Sequence, residues 1–545
     1  MLAGYPAQTA SSTWRTGDVT NQLTNNALST KYTRRTFIKA AGAGAAWFAL
    51  SNALGCESAG RTPKTTRTTT TSAVQQGPGR VATRRSAQPR GVWAFRSRPD
   101  LSPPVLKVTT RARDTAPGYI FVAPKYGPGQ DGPMILDNSG QPVWFRPLQN
   151  EDDVAMDFKV QHYRGEPVLT WAEDEVVQGQ RLNEYVILDG SYHEVTRLRA
   201  GYGYLGDHHE FLITPQYTAL ITIYSLVSMD LSSVGGPKDG EVLDGIVQAV
   251  DIETGEVLFE WHSLDHAGLE ESYSRPSTDQ TEAFDYFHIN SIEVDHDDNL
   301  LVSARNTSTV YKIDPMTGEV IWRLGGKKSN FEMGPGTRFA YQHDARRQPD
   351  GTITIFDNGG MHKDEQSRSL VLELDEGEMT VSLVRKYAFP QGQFAATQGN
   401  MQTLPKGNVF VGWGSEPLFS EFSSNGELLF SANFPLEVES YRAFRFPWKG
   451  QPSDDPAMVA ERGSDDKVTL YASWNGATEV DTWEVLAGPD PERLKPVGSV
   501  PQHGFETAIT VGTAERYVGV QAKDSRGRGL GTSKATRPIS VHPHH

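Results

Sequence analysis

The chain has 545 residues, too many for one hydrophobic core, so two or more folded units plus tails are expected. Its 52 basic and 67 acidic residues leave a net charge of −15, which argues against a nucleic-acid partner, and its single cysteine excludes an internal disulfide framework. With 37% hydrophobic residues, 52 Gly and 33 Pro, the composition is that of a turn-rich all-β protein held by packing and sheet ladders.

In chain order, residues 1–30 are polar, and Lys31 to Lys39 then reads KYTRRTFIK, with Arg34 and Arg35 paired ahead of Phe37 and Lys39. The small and apolar run from Ala40 to Gly55 is too short and too weakly hydrophobic to span a bilayer. Together these are the marks of a twin-arginine export signal over 1–56, so an extracytoplasmic location is expected. Cys56 ends Ala53-Leu54-Gly55-Cys56 in the position of a lipobox cysteine; lipidation there and simple cleavage nearby both stand, and a lipid is the one route to a membrane. Between Ser58 and Pro99 there is no acidic residue, while Thr, Ser, Gly, Pro and Arg dominate, so 57–102 is expected to be a disordered tether.

From about residue 103 to 452 one theme recurs: a strand, a turn holding Asp or Asn with Gly, and a second strand that often ends in an aromatic. It appears around Asp137 (MILDNSGQPVWF), Asp189 (YVILDGSYHEV), Asp251 (AVDIETGEVLFEW), Asp314 (YKIDPMTGEVIWRL), Asp375 (LELDEGEMTVSL) and Asn425 (FSSNGELLF). Copies about fifty to sixty residues apart leave room for one four-stranded blade each, so a six-bladed β-propeller is expected. The stretch 284–325 spells one unit out: runs after His288, at Leu300 to Val302, at Val310 to Ile313 and at Val320 to Trp322, each bounded by turn residues.

The first strands of these units carry polar heads. His209 stands six residues before Pro215 and His343 six before Pro349; His288 stands nine before Asp297. This register places the three imidazoles at similar levels on successive blades, converging on a central axis, with Asn290 on the His288 face and Arg305 bending toward the same mouth. Imidazoles with Arg and Asn, and no convergent carboxylate pair, suit a group that develops negative charge on oxygen, and a neutral imidazole can attack sulfur or phosphorus. No GxxxxGK[ST] loop is present, which argues against a nucleotide-linked donor bound in the usual way. Three histidines could hold zinc or copper, but Arg305 in the same channel disfavours a second cation, so neither a metal nor an organic cofactor is expected. DHDDN at 295–299 lacks the Gly and distal Glu of a calcium loop and reads as an interstrand turn; Trp144, Trp261 and Trp322 read as packing between blades.

DHHEFLI, DYFHINSIE, LLVSARNTSTVYKID, GEVIWRLGG, QHDAR, ITIFDNG, TQGNMQTLPKGNVFVGWGS and SYRAFRFPW, in that order and spacing, resemble the arylsulfotransferase (ASST) family in its actinobacterial and fungal branch, over roughly Gly118 to Pro452. The resemblance implies a six-bladed propeller that moves a sulfuryl group from an aryl sulfate donor to a phenolic acceptor, without a nucleotide sulfate donor, by a ping-pong route through a sulfated histidine. Position by position, it implies His343 as nucleophile, with His288, Asn290 and Arg305 neutralising the sulfuryl oxygens. His209, or its neighbour His208, would exchange a proton with the phenol oxygen. A propeller can also keep such a channel for binding alone, and water can replace the phenol as acceptor; both alternatives stand beside transfer.

After Pro452 the composition shifts to short alternating runs at Val468–Trp474, Thr482–Leu486, Thr507–Val511, Tyr517–Ala522 and Thr532–Val541. They suffice for a small β-sandwich over 453–545, resembling a fibronectin type III or immunoglobulin-like module, with nothing catalytic in it.

Overall fold

The computed structural model describes residues 91–540, except 151–152, 178–179, 278–281, 361–365 and 464–466, and excluding the side chains of 175–182. The arginine pair, Cys56 and most of the expected tether lie outside the described residues. Among the described residues the chain is all-β, and no helix is long and apolar enough to cross a membrane.

Six sheets of four or five strands, antiparallel except where Glu332–Met333 pairs with Thr380–Tyr387, follow one another between Lys107 and Phe446. Each contains one innermost strand: Ala155–Tyr163 (β1), Gly206–Ile213 (β2), Ile289–Val294 (β3), His343–Arg347 (β4), Asn400–Thr403 (β5) and Ala443–Phe446 (β6). Each packs on the next, and β6 touches both β5 and β1, so the six form a closed ring. Chain ends close it. β6 pairs antiparallel with Tyr119–Val122 to complete the first sheet, and Lys107–Thr110 pairs with Leu428–Asn433 at the outer edge of the last.

The repeated turn has a local cause. In five of its six copies the Asp carboxylate accepts the backbone N–H two residues on: Ser139 to Asp137 (2.8 Å), Ser191 to Asp189 (2.8 Å), Glu253 to Asp251 (3.0 Å), Met316 to Asp314 (2.7 Å) and Gly377 to Asp375 (3.0 Å). Each turn joins two neighbouring strands on the outer side of one sheet, as in Thr309–Ile313 with Val320–Gly325. The aromatic that ends the second strand is buried between sheets: Trp144 stacks on Tyr192 at 5.0 Å, Trp261 Nε1 donates to Gly318 O (3.0 Å), and Trp322 Nε1 donates to Glu376 (3.1 Å). Asp295 and Asp297 hold Lys312 (3.0 and 2.7 Å), so that acidic turn is neutralised by the protein itself.

One boundary differs from the sequence reading. Residues 91–102, placed in the tether, are packed: Phe95 and Leu101 are buried, and the Phe95 ring lies 4.3 Å from that of Phe505. Ser97 Oγ bonds Ser473 Oγ (2.7 Å). A lack of acidic residues had outweighed three large apolar side chains, Trp93, Phe95 and Leu101, which bury enough area to order a short segment.

From Ala457 to Ser540 two further four-stranded sheets share one buried core, to which Val468, Leu470 and Ile509 contribute from one sheet and Trp483, Val485 and Val520 from the other.

Candidate active site

The ring of innermost strands is interrupted at one level. Asp157, His288, Asp344 and Gln398 all have positive φ (59°, 57°, 56° and 64°), and the ladders of β1, β3 and β4 shift register beside them. Such bulges re-aim side chains out of strict alternation, and they do so here where the polar heads lie.

His343 opens β4 and is 1% exposed. Its Nδ1 lies 2.8 Å from Asn358 Oδ1, while Asn358 Nδ2 donates to the carbonyls of Ala395 and Gln398 (2.9 Å each). With both amide hydrogens engaged, the Asn358 oxygen must accept, so Nδ1 carries the proton. The other nitrogen agrees: the Gln398 backbone N–H donates to His343 Nε2 at 3.2 Å, which requires a lone pair there. Burial, then the positive charge of Arg305, push His343 well below the ordinary imidazole range, so the ring is neutral.

Two more imidazoles stand nearby. The rings of His209 and His288 are 5.1 Å apart, and the Tyr441 ring lies 5.3 Å from His209 and 6.3 Å from His343. His209 Nδ1 bonds Asp207 (2.6 Å), a carboxylate that also accepts from Thr222 Oγ1 (2.9 Å); burial opposes its charge, but His209 holds it down to about 2. His288 Nδ1 bonds Asp285, yet burial outweighs that carboxylate and lowers the imidazole. His209, not His208, carries the ring that faces His288.

Arg305 is anchored by Asn306 Oδ1 (2.8 Å) and Ala396 O (3.2 Å), with its guanidinium 4.9 Å from the Tyr341 ring centre. Asn290 is placed differently from expectation. It is fully buried in the frame: Nδ2 donates to Gln342 O (2.7 Å), and its backbone carbonyl accepts from Tyr441 Oη (3.0 Å) and Arg442 Nη2 (2.9 Å). One of the Asn290 side-chain amide hydrogens is therefore spent on backbone.

The expected lack of convergent carboxylates is also corrected. Asp207 and Asp285 orient two of the histidines, and a buried ion lattice joins the innermost strands. Lys159 on β1 reaches Asp157 and Glu210 (2.7 Å each). Arg442, just before β6, reaches Asp157 (2.6 Å) and Glu210 (3.2 Å), and Arg346 on β4 bonds Asp344 (2.8 Å) and Glu293 (3.2 Å). Asp207-x-His209 and Asp285-x-x-His288 were visible as acids two and three residues before a histidine; Asn358 sits across a hairpin from His343, and the Glu210 and Arg442 members of the lattice meet only across sheets, so neither had a local signal.

The arylsulfotransferase (ASST) family profile matches residues 159–435, which span all three histidines, Asn290 and Arg305. The chain belongs to the arylsulfotransferase family. No curated protein matches it. Among solved structures this family member is similar to a protein of unknown function from Bacteroides caccae (14% identity over 60% of this chain and 98% of that one, TM-score 0.38). It is also similar to a virginiamycin B lyase from Staphylococcus aureus (8%, 68% and 97%, TM-score 0.29) and an exo-β-1,3-galactanase from Phanerochaete chrysosporium (9%, 76% and 99%, TM-score 0.30). Membership of the arylsulfotransferase family implies a sulfotransferase-type function on small molecules.

Proposed function

We propose that this arylsulfotransferase-family protein transfers a sulfuryl group from an aryl sulfate to a phenolic acceptor, in two half-reactions through a sulfated His343, with no nucleotide donor and no cofactor. The observation that carries the reading is the neutral His343 imidazole, protonated at Nδ1, with its Nε2 lone pair in the field of Arg305. In the first half-reaction Nε2 attacks sulfur as the aryl O–S bond breaks, and Arg305 offsets charge on the sulfuryl oxygens. His209, steadied by Asp207, returns a proton to the departing phenoxide, and in the second half-reaction it takes one from the acceptor.

The six sheets are read as the blades of a propeller, and the C-terminal pair as a fibronectin III- or immunoglobulin-like sandwich that shields or docks it. Export through the twin-arginine pathway, with or without a lipid at Cys56, belongs to the same proposal and fits a donor met outside the cytoplasm.

The test is p-nitrophenyl sulfate with a second phenol. Coloured p-nitrophenol should appear only with acceptor beyond a first turnover, donor alone should add one sulfuryl mass to the His343 peptide, and His343→Ala should abolish both. Release that ignores the phenol would make the protein a hydrolase, and no release across a panel of phenols would leave a binding propeller.

A further inference from the structure

The turn after Ala395 brings main chain, not side chain, against the nucleophile. Gln398 is left-handed (φ 64°) and followed by Gly399 (φ 101°), where a Cβ would collide with the Phe356 ring. Three ties fix this turn. The Gln398 carbonyl accepts from Asn358 (2.9 Å), the same side chain that orients the His343 ring, and Gly399 N donates to Tyr441 O (3.0 Å). Gln398 Nε2 donates to Glu439 (2.7 Å). The outcome is one N–H directed at Nε2 from 3.2 Å, in a residue 1% exposed.

A lone pair cannot both accept that hydrogen bond and bond to sulfur. We propose that the Gln398 backbone N–H is a catalytic hydrogen-bond donor: it covers His343 Nε2 while the site is empty and passes to a sulfuryl oxygen as the N–S bond forms. This rests on the transfer reading above. The step balances without any further group. The Nε2 lone pair becomes the N–S bond, the aryl O–S pair leaves on the phenoxide, the ring keeps Nδ1–H on Asn358 as a sulfated imidazolium, and the amide keeps its proton and changes only its acceptor. A fixed amide dipole beside the developing oxyanion stabilises it more than a mobile side chain would, because nothing has to reorganise. The neutral Asn358 partner, unlike a carboxylate, draws no proton from the imidazolium, which leaves the N–S bond easy to break in the second half-reaction.

The decisive variant replaces the peptide N–H of residue 398 by an ester oxygen, using the α-hydroxy analogue of glutamine. Two readouts are taken: sulfation of the His343 peptide in a single turnover with p-nitrophenyl sulfate, and acylation of His343 by diethyl pyrocarbonate, which requires a free lone pair and the same access to the ring that the aryl sulfate needs. Loss of the donor should slow sulfation about 100-fold. Uncovering Nε2 should speed acylation about fivefold. Gln398→Ala keeps the N–H and removes only the tie to Glu439, so sulfation should slow about threefold. Sulfation by the ester variant at the parental rate, unchanged acylation, or an alanine variant as slow as the ester would each overturn the proposal. Should the ester variant fail to fold, hydrogen exchange in the parent decides: the 398 amide stays protected after sulfation if it has passed to a sulfuryl oxygen, and exchanges freely if it has only been displaced. A parent that is never sulfated would defeat the transfer reading, and the acylation rates would then decide alone whether the amide covers the nitrogen.

Discussion

Arg442→Met tests the buried lattice without reference to chemistry. The guanidinium is fully buried, with Asp157 at 2.6 Å, Glu210 at 3.2 Å and the Asn290 carbonyl at 2.9 Å. Methionine fills much of its volume, but Asp157 and Glu210 then share only Lys159 and Arg346. Breaking a buried pair by removing one partner costs about 3–5 kcal/mol. At ~2.1 cal/mol/K per residue, a unit of roughly 340 residues between Lys107 and Phe446 has an unfolding entropy near 0.7 kcal/mol/K, so Tm should fall by about 4–7 °C. Calorimetry at pH 7 measures it. The deficit should shrink on acidification, because Asp157, already raised by burial, takes up a proton more readily once Arg442 is gone. Asp157→Asn in the same chain should recover part of the loss. A variant that melts within about 1 °C of the parent, or a double variant whose loss is the sum of the singles, would refute the reasoning.

Other outcomes follow from the same contacts. Asn358→Leu leaves the His343 Nδ1–H buried without an acceptor; calorimetry should show about 1–3 kcal/mol lost, and sulfation of His343 should slow at least about tenfold as the proton is freed to move to Nε2. His343 is lowered well below 6.5, so it stays neutral as pH falls from 7 to 6.5, and the rate of donor cleavage should not decline over that window on its account. The same shift makes folding acid-sensitive. His343 and His288 are lowered in the folded chain, so their contribution is complete above 6.5 and is lost as pH falls below it; Tm should drop between pH 6.5 and 5, and His343→Ala should flatten part of that drop. His262 has the opposite sign. Its hydrogen bond to Asp244 raises it to about 9, so that stabilisation is complete below 6.5 and is lost as pH rises through 9, which His262→Ala should abolish in a pH series of melts.

Much of the architecture was legible because its cause is local. The Asp-to-backbone turns at Asp137, Asp189, Asp251, Asp314 and Asp375 are written within a few residues, and they mark the outer hairpin of each sheet. The histidine register was legible more loosely: His343 begins its strand, His288 precedes its own, and His209 lies in the fourth position of β2. Positive φ at His288 and Asp344 makes up the difference, and period-two counting does not see a bulge. The contacts made by Asn358, Gln398 and Arg442 were out of reach for another reason, although Gln398 heads a strand unit in the sequence as the histidines do. Asn358 acts on His343 from 15 positions away across a bulged hairpin, while Gln398 and Arg442 act on residues 55 and 285 positions away, across sheets that have yet to meet. Residues 91–102 show the converse error, in which composition averaged over a long polar stretch hid three anchors at its end.

Ring closure sets the order in which the molecule can become whole during synthesis. Asp157 and Glu210 leave the ribosome early with Lys159, yet Arg442, the other cation that reaches both, and the strand that seals the first sheet emerge only near Phe446. A nascent chain halted before that point lacks one cation of the buried lattice and keeps an open sheet edge, and has no stable resting form. Truncations inside the last thirty or so residues of the ring should therefore give insoluble chains rather than weakened ones, whereas a permuted chain whose new ends fall in an outer turn should still assemble.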